Sequence, residues 1–354
     1  MNGLRLIADD LTGALDSAAR LVPLVGPIPV FWGAVPDPTP THFALDGGTR
    51  EETIGFAQAV ATRLAPVLAL GEPAFRKLDS LLRGHVAAEI AASVAAFDHV
   101  LIAPAFPFQG RITRAGRQFS RDDAGGWRDS GVDLAGALLS AGVTVMPAVA
   151  GQAAPAGVSL WDAATDSDLD RIVAAGRALE GRVLWCGTAG LAGALAGRLP
   201  VPVPRLPRPI LALVGSDQPV ARAQLAVLGR LHHVVSDAAE ANAIAGALER
   251  DGAAAVSISV APRTPRIAAG ARIADIFAGL LAGLGLPVGT LFVSGGETLR
   301  GLCNKLGAAR LDVDGEMLPG IPTSILRGGA WEGQRIVSKS GAFGDAGVLA
   351  RILG

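Results

Sequence analysis

The chain has 354 residues, half of them hydrophobic and only 18% charged, which excludes wholesale disorder. Its 31 basic and 32 acidic side chains leave a formal charge of −1 with no basic block, which argues against a dedicated nucleic-acid binder. Cys186 and Cys303 lie far apart and form no CxxC pair, so a disulfide framework and a structural zinc site are poor readings, and a reducing, cytoplasmic setting is expected.

From the N-terminus, apolar runs alternate with amphipathic stretches, the pattern of an α/β fold. Strands are predicted at residues 4–8, 29–32, 41–45, 74–77, 100–103, 143–146 and 182–185. Helices are predicted at 13–21, 51–68, 86–95, 134–141, 166–179 and 189–198. Asp9 and Asp10 stand where a secretory signal would need apolar residues, so none is expected. Residues 134–161 are uncharged, but Pro147 and Pro155 interrupt them, so no membrane span is expected either. Residues 199–209 hold five prolines and two arginines, which no helix or central strand tolerates, and they read as an interdomain linker. Beyond it, strands are predicted at 210–214, 234–236, 254–259, 290–293 and 335–338, and helices at 220–231, 238–250, 271–284, 298–306 and 346–353. The expected fold is α/β, with two α/β lobes, residues 1–203 and 209–354, and an inter-lobe active-site cleft.

Several predicted strands end in more charge or more glycine than a plain turn requires. The first runs into Asp9-Asp10-Leu11-Thr12-Gly13, where carboxylates at a strand end can hold a polyol or take a proton from a hydroxyl. Helix capping by Asp10 or Thr12 is the simpler account, and it explains one of these residues but not the pair. Another strand ends in Lys77-Leu78-Asp79-Ser80, followed by Arg83, which suits a carboxylate ligand or a local salt-bridge network. Residues 103–116 read as an irregular loop presenting Arg111 and Arg114.

In the second half, Gly215-Ser216 and Ser294-Gly295-Gly296-Glu297-Thr298 are turns between strand and helix, where backbone N–H groups can meet an anion. Lys339-Ser340-Gly341 is a third such turn, and Lys339 is one of only three lysines against 28 arginines. There is no GxxxxGK[ST] motif, no dinucleotide fingerprint, no GxSxG elbow and no histidine pair at metal-ligand spacing.

In order, IADDLTGALDSA, FRKLDSLLRGHVAAEI, APAFPFQGRITRAG, LVGSDQP, FVSGGETLRGL and the closing PGIP and IVSKSGAFGD resemble the motifs of the four-carbon acid sugar kinase family. The resemblance covers the chain from Ile7 to Asp345. It implies an N-terminal lobe for a small sugar acid, a C-terminal lobe for ATP, and phosphoryl transfer to a terminal hydroxyl of a tetronate or oxo-tetronate. Asp9, Asp10 and Asp79 are then the catalytic candidates, the first two preferred as the base, and Arg50, Lys77, Arg83 and Arg111 the substrate-binding ones. Ser216, Ser294, Gly295, Gly296, Glu297, Thr298, Lys339, Ser340 and Gly341 would bind the nucleotide. ATP and Mg²⁺ are the expected cofactors, with no protein metal site. The expected partner is a sugar acid, with neither nucleic acid nor membrane, and a homodimer is left open.

Two departures fall in the substrate lobe. Gly47-Gly48 stands where the family tends to have larger polar residues, and residues 121–129 replace a DP-containing segment, so the reaction class carries over better than the substrate. A catalytically silent binding protein of the same fold is the alternative. A dehydrogenase-like enzyme is a weaker one.

Overall fold

A computed structural model of the chain describes residues 3–122, 125–260, 264 and 266–354. Asp123 and Ala124 of the 121–129 segment lie outside the described residues. The chain divides into two compact units, the first ending at Val201 and the second starting at Pro202.

The first unit contains, in order, β1 (Arg5–Ala8), α1 (Leu11–Val25), β2 (Ile28–Trp32), β3 (Phe43–Asp46), α2 (Ile54–Ala69), β4 (Ala74–Lys77), α3 (Val86–Val94) and β5 (His99–Ala103). It continues with β6 (Arg111–Arg114), β7 (Arg117–Arg121), β8 (Trp127–Asp129), α4 (Leu134–Ser140), β9 (Met146–Val149), β10 (Gly157–Asp162), α5 (Asp166–Arg177), β11 (Val183–Gly187) and α6 (Ala189–Leu195). Eight strands form a parallel sheet in the order β2-β3-β1-β4-β11-β5-β10-β9. Every residue of β1, β3 and β4 is buried, as a parallel sheet covered on both faces requires. One layer of helices is α1, α6 and α5, and the other is α2, α3 and α4.

The second unit contains β12 (Ile210–Val214), α7 (Pro219–Ala226), β13 (His232–Val235), α8 (Ala241–Asp251), β14 (Ala253–Ile258), α9 (Arg266–Gly283), β15 (Thr290–Ser294) and α10 (Gly296–Lys305). After these come β16 (Arg310–Leu318), β17 (Ile321–Arg327), β18 (Arg335–Lys339) and α11 (Val348–Leu353). Its strand order is β13-β14-β12-β15-β18-β17-β16, parallel as far as β18, with β17 and β16 antiparallel.

The structure corrects the sequence reading in several places. The irregular loop expected at 103–116 instead holds a 3₁₀ turn at Pro107–Gln109 and then β6, which joins β7 and β8 in an antiparallel ribbon, so Arg111 opens a strand. The predicted strand at 143–146 lies three residues later, as β9, and β10, β16 and β17 were not anticipated. The helix expected at 220–231 ends at Ala226. No helix among the described residues is long and apolar enough to cross a membrane.

Candidate active site

In an open α/β sheet, ligands collect beyond the carboxyl ends of two adjacent strands whose connections leave in opposite directions. In the first unit those strands are β1 and β4, because the chain leaves β1 through α1 towards β2 and leaves β4 through α3 towards β5. Asp9 and Asp10 follow β1, Asp79 follows β4, and Arg50 follows the neighbouring β3.

Arg50 ties these groups together. Its Nε and Nη2 donate to the two Asp9 oxygens at 2.8 and 2.7 Å, a fork-to-fork pair, and its Nη1 donates to Asp10 Oδ2 at 2.7 Å. The same Nη1 lies 3.7 Å from Asp79 Oδ1. Burial opposes the Arg50 charge, but Asp9, Asp10 and Asp79 outweigh it and raise its pKa above the ordinary value. For Asp9, only 3% exposed, burial wins over Arg50 and pushes the carboxyl pKa up.

Asp10 does cap α1: its Oδ1 accepts from Gly13 N at 2.9 Å. Thr12 is not the cap, since its hydroxyl donates to Asp10 Oδ2 at 2.7 Å. Lys77 is buried beneath this turn, where its Nζ donates to Leu78 O at 2.9 Å and would lie 3.1 Å from a Cβ on Gly13. It points inward, as an internal counter-ion to Asp9 and Asp79 and to Asp16, whose carboxyl pKa burial also raises.

Asp79 organises the next loop. Its Oδ2 accepts from Leu81 N, Arg83 N and Arg83 Nε at 3.0, 3.2 and 3.0 Å, and its Oδ1 from Arg83 Nη2 at 2.7 Å. Burial pushes its pKa up, but Arg83, Arg50 and Lys77 overcome that and hold it well below the usual carboxylate range. Between the two tied amides, Leu82 has φ +61°, a left-handed conformation costing a branched residue about 1–2 kcal/mol. The Asp79 bonds and burial of the Leu82 side chain keep it there.

Arg83 is largely exposed beyond Asp79. Arg111 donates from Nη1 to Gln109 O, and its Nε is buried without an acceptor. Among the described residues it pairs with no carboxylate, and burial lowers its pKa although Asp79 opposes this. Gln118, which no sequence motif marks, is fully buried on β7 and donates to Ser80 O and Pro104 O at 2.8 and 3.1 Å, fastening the ribbon to the loops after β4 and β5.

In the second unit the equivalent switch lies between β12 and β15. The turns after β12, β15 and β18 pack so closely that side chains have no room. A Cβ on Gly215 would lie 2.1 Å from Thr298 Oγ1, and one on Gly341 would lie 2.0 Å from Ser216 Oγ. Gly295 caps α10 with φ +111° and makes no side-chain bond to the first turn, a helix N-terminus of the kind that can receive an anion. Ser294 Oγ is buried beside them without a partner. Lys339 is 1% exposed, and its Nζ donates to Ser340 O, Gly341 O and Phe343 O at 2.8, 3.4 and 3.1 Å. Burial lowers its pKa to about 8, and its direct effect is to fold the turn that carries Ser340 and Gly341.

A family model described as a sugar-binding N-terminal domain matches residues 4–130, and one described as a nucleotide-binding C-terminal domain matches residues 211–349. The chain is 30% identical to a D-threonate kinase of Cupriavidus necator over 97% of this chain and 95% of that one. It is 28% identical to a D-threonate kinase of Bordetella bronchiseptica over 98% and 95%. Among solved structures, a Salmonella typhimurium LT2 protein superposes with a TM-score of 0.72 at 21% identity over 99% of both chains. A Haemophilus influenzae protein does so with 0.67 at 20% over 97% of both. These two share the fold. The near-full-length relatives, with a sugar-binding and a nucleotide-binding half matched in that order, make the chain a member of the four-carbon acid sugar kinase family and an enzyme that transfers a phosphoryl group to an alcohol.

Proposed function

We propose that the enzyme phosphorylates the terminal hydroxyl of a four-carbon sugar acid, a tetronate or oxo-tetronate, with ATP as donor. The observation that carries this reading is the arrangement around Arg50 Nη1, with the partly open carboxylate of Asp10 on one side and the Asp79–Arg83 pair, with Arg111 in its field, on the other. A small acid with a terminal hydroxyl needs both a cation for its carboxylate and a base for its alcohol. D-threonate, named for the relatives, carries both groups.

Of the three aspartates, Asp10 is the best placed to act as base. Asp79 is saturated by four hydrogen bonds and its pKa is held well below the usual carboxylate range, and Asp9 has both oxygens in the Arg50 fork. The Asp10 side chain is the most exposed of the three, at 22%. Asp10 orients the hydroxyl and accepts its proton as the alcohol oxygen bonds to the γ-phosphorus and the bond to the β,γ-bridging oxygen breaks. Arg83 and Arg111 hold the carboxylate, while Lys77 stays an internal counter-ion.

The glycine turns of the second unit, with Ser216, Ser294 and Thr298, suit the phosphates of ATP. Mg²⁺ would travel with the nucleotide phosphates and neutralise their charge. Gly341→Ala drives a methyl group into Ser216 and is expected to weaken ATP binding about tenfold, or ~1.4 kcal/mol, with sugar-acid affinity unchanged by calorimetry.

Calorimetry with D-threonate and the uncharged polyol threitol tests the acceptor site. The acid is expected to bind better, and Arg111→Met to weaken it by about 10–100-fold, as loss of a charge-assisted bond does. Equal binding of acid and polyol, or an Arg111→Met variant with undiminished affinity, contradicts the assignment.

A further inference from the structure

Behind the aspartates lies a second polar group that the proposed chemistry does not use. Glu89 is 3% exposed on α3, between the buried Val86 and Ile90. The Thr49 hydroxyl donates to its Oε1, and Arg76, 2% exposed, places Nη1 3.6 Å from its Oε2. Arg76 Nη2 also donates to Ser93 Oγ at 3.0 Å, and that hydroxyl donates to Glu89 O at 3.1 Å.

A buried ion pair is weak evidence for stability, because its desolvation cancels much of its attraction, and apolar residues of similar volume often serve as well. Its consequence lies instead in what it holds. Thr49 N and Arg50 N both donate to Asp9 O, at 3.0 and 3.2 Å. Thr49 thus sits between the buried pair and the residue that locks Asp9 and Asp10. The rest of the loop is fixed at its two ends: Gly48, with φ +64°, donates to Asp46 Oδ1 at 2.7 Å, and His85 Nε2 meets Glu52 O at 2.6 Å. Gly84, with φ +80°, lies close against it, since a Cβ there would be 3.2 Å from Asp9 Oδ2 and 3.6 Å from Arg50 Cα.

We infer that Thr49 and Glu89 are positioning residues for phosphoryl transfer: the buried Arg76–Glu89 pair holds the Thr49 hydroxyl, and through it sets Arg50 between Asp9 and Asp10. This rests on the assignment of those aspartates to the reaction. Without the Thr49 bond, Arg50 keeps its charge and loses its fixed placement. Turnover should suffer, while the carboxylate ligands and the nucleotide turns keep their geometry.

The test is steady-state kinetics and thermal melting of Thr49→Val, Thr49→Ser, Ser93→Ala and Asp10→Asn in the full chain, with Mg-ATP and D-threonate. Thr49→Val is expected to lower kcat by about 10–100-fold, the scale of a misplaced catalytic group, with both KM values within about twofold. Thr49→Ser should restore kcat, and Ser93→Ala, which removes a hydroxyl of the same network away from the loop, should lower the melting temperature and leave kcat alone. Wild-type kcat in Thr49→Val, or an equal kcat loss in Ser93→Ala, overturns the inference. If Asp10→Asn turns over normally, the assignment beneath it has failed. If Asp10→Asn is inactive while Thr49→Val is normal, the positioning role alone has failed.

Discussion

Asp10→Asn is expected to lower kcat by about 10²–10⁴-fold, the usual contribution of a general base, and to leave ATP affinity unchanged. Asparagine is as good an N-cap as aspartate: its Oδ1 can still accept the Gly13 N–H, while its NH2, in place of Oδ2, can donate to the Thr12 hydroxyl, so α1 should begin where it does now. What it cannot do is take a proton from an alcohol or return the charge of Arg50. The substitution therefore separates the two readings of the acidic strand end: a residue that only caps α1 would tolerate it with little change in kcat. Steady-state ADP release, with a melting curve to show that the variant is folded, measures the outcome.

Arg50→Met is expected to destabilise the first unit by about 3–5 kcal/mol, because removing one member of a buried charged network leaves the others uncompensated. Asp9 loses both partners of its carboxylate, and Asp10 loses one. The pH dependence has a definite sign. Asp9 is an acid whose folded-state pKa is already raised by burial, and loss of Arg50 raises it further. The folded variant then binds more protons than the unfolded chain, so its stability falls as pH rises above the ordinary carboxylate range and recovers as pH falls towards it. The deficit against wild type should be larger in urea unfolding at about pH 8 than at about pH 5. Arg50→Lys keeps a charge but cannot form the fork, and an intermediate loss is expected.

The strand-end candidates stood out in the sequence because a parallel strand buried on both faces tends to be a continuous apolar run, and its end is where charge or glycine first appears. Ala8 to Asp9 and Ser294 to Gly295 are such ends, whereas β4 already carries the buried Arg76 and Lys77 within the strand. What could not be read was pairing across the sheet. Arg50 lies 40 residues from Asp10 in the chain and reaches it because β3 is hydrogen-bonded to β1.

Side-chain direction was equally hidden. Scarcity of lysine pointed to Lys77 and Lys339, yet both ammonium groups are buried and donate to backbone carbonyls. The ribbon β6-β7-β8 escaped because its short strands carry Arg111, Arg114, Arg117 and Arg121 where an apolar alternation would have revealed them. Glu89 left one signal, a lone acid on an apolar helix face, which the burial of Arg76 opposite explains.

We assign the aspartate–arginine cluster beyond β1 and β4 to a four-carbon sugar acid. Single-turnover transfer from γ-labelled ATP to C3–C6 sugar acids, their oxo forms and the matching polyols tests it most directly. Labelled phosphate is expected on the terminal hydroxyl of a four-carbon acid, with the uncharged polyol a poor acceptor. Transfer to the polyol as fast as to the acid, or transfer to none of the four-carbon acids by an enzyme that binds ATP, would contradict it.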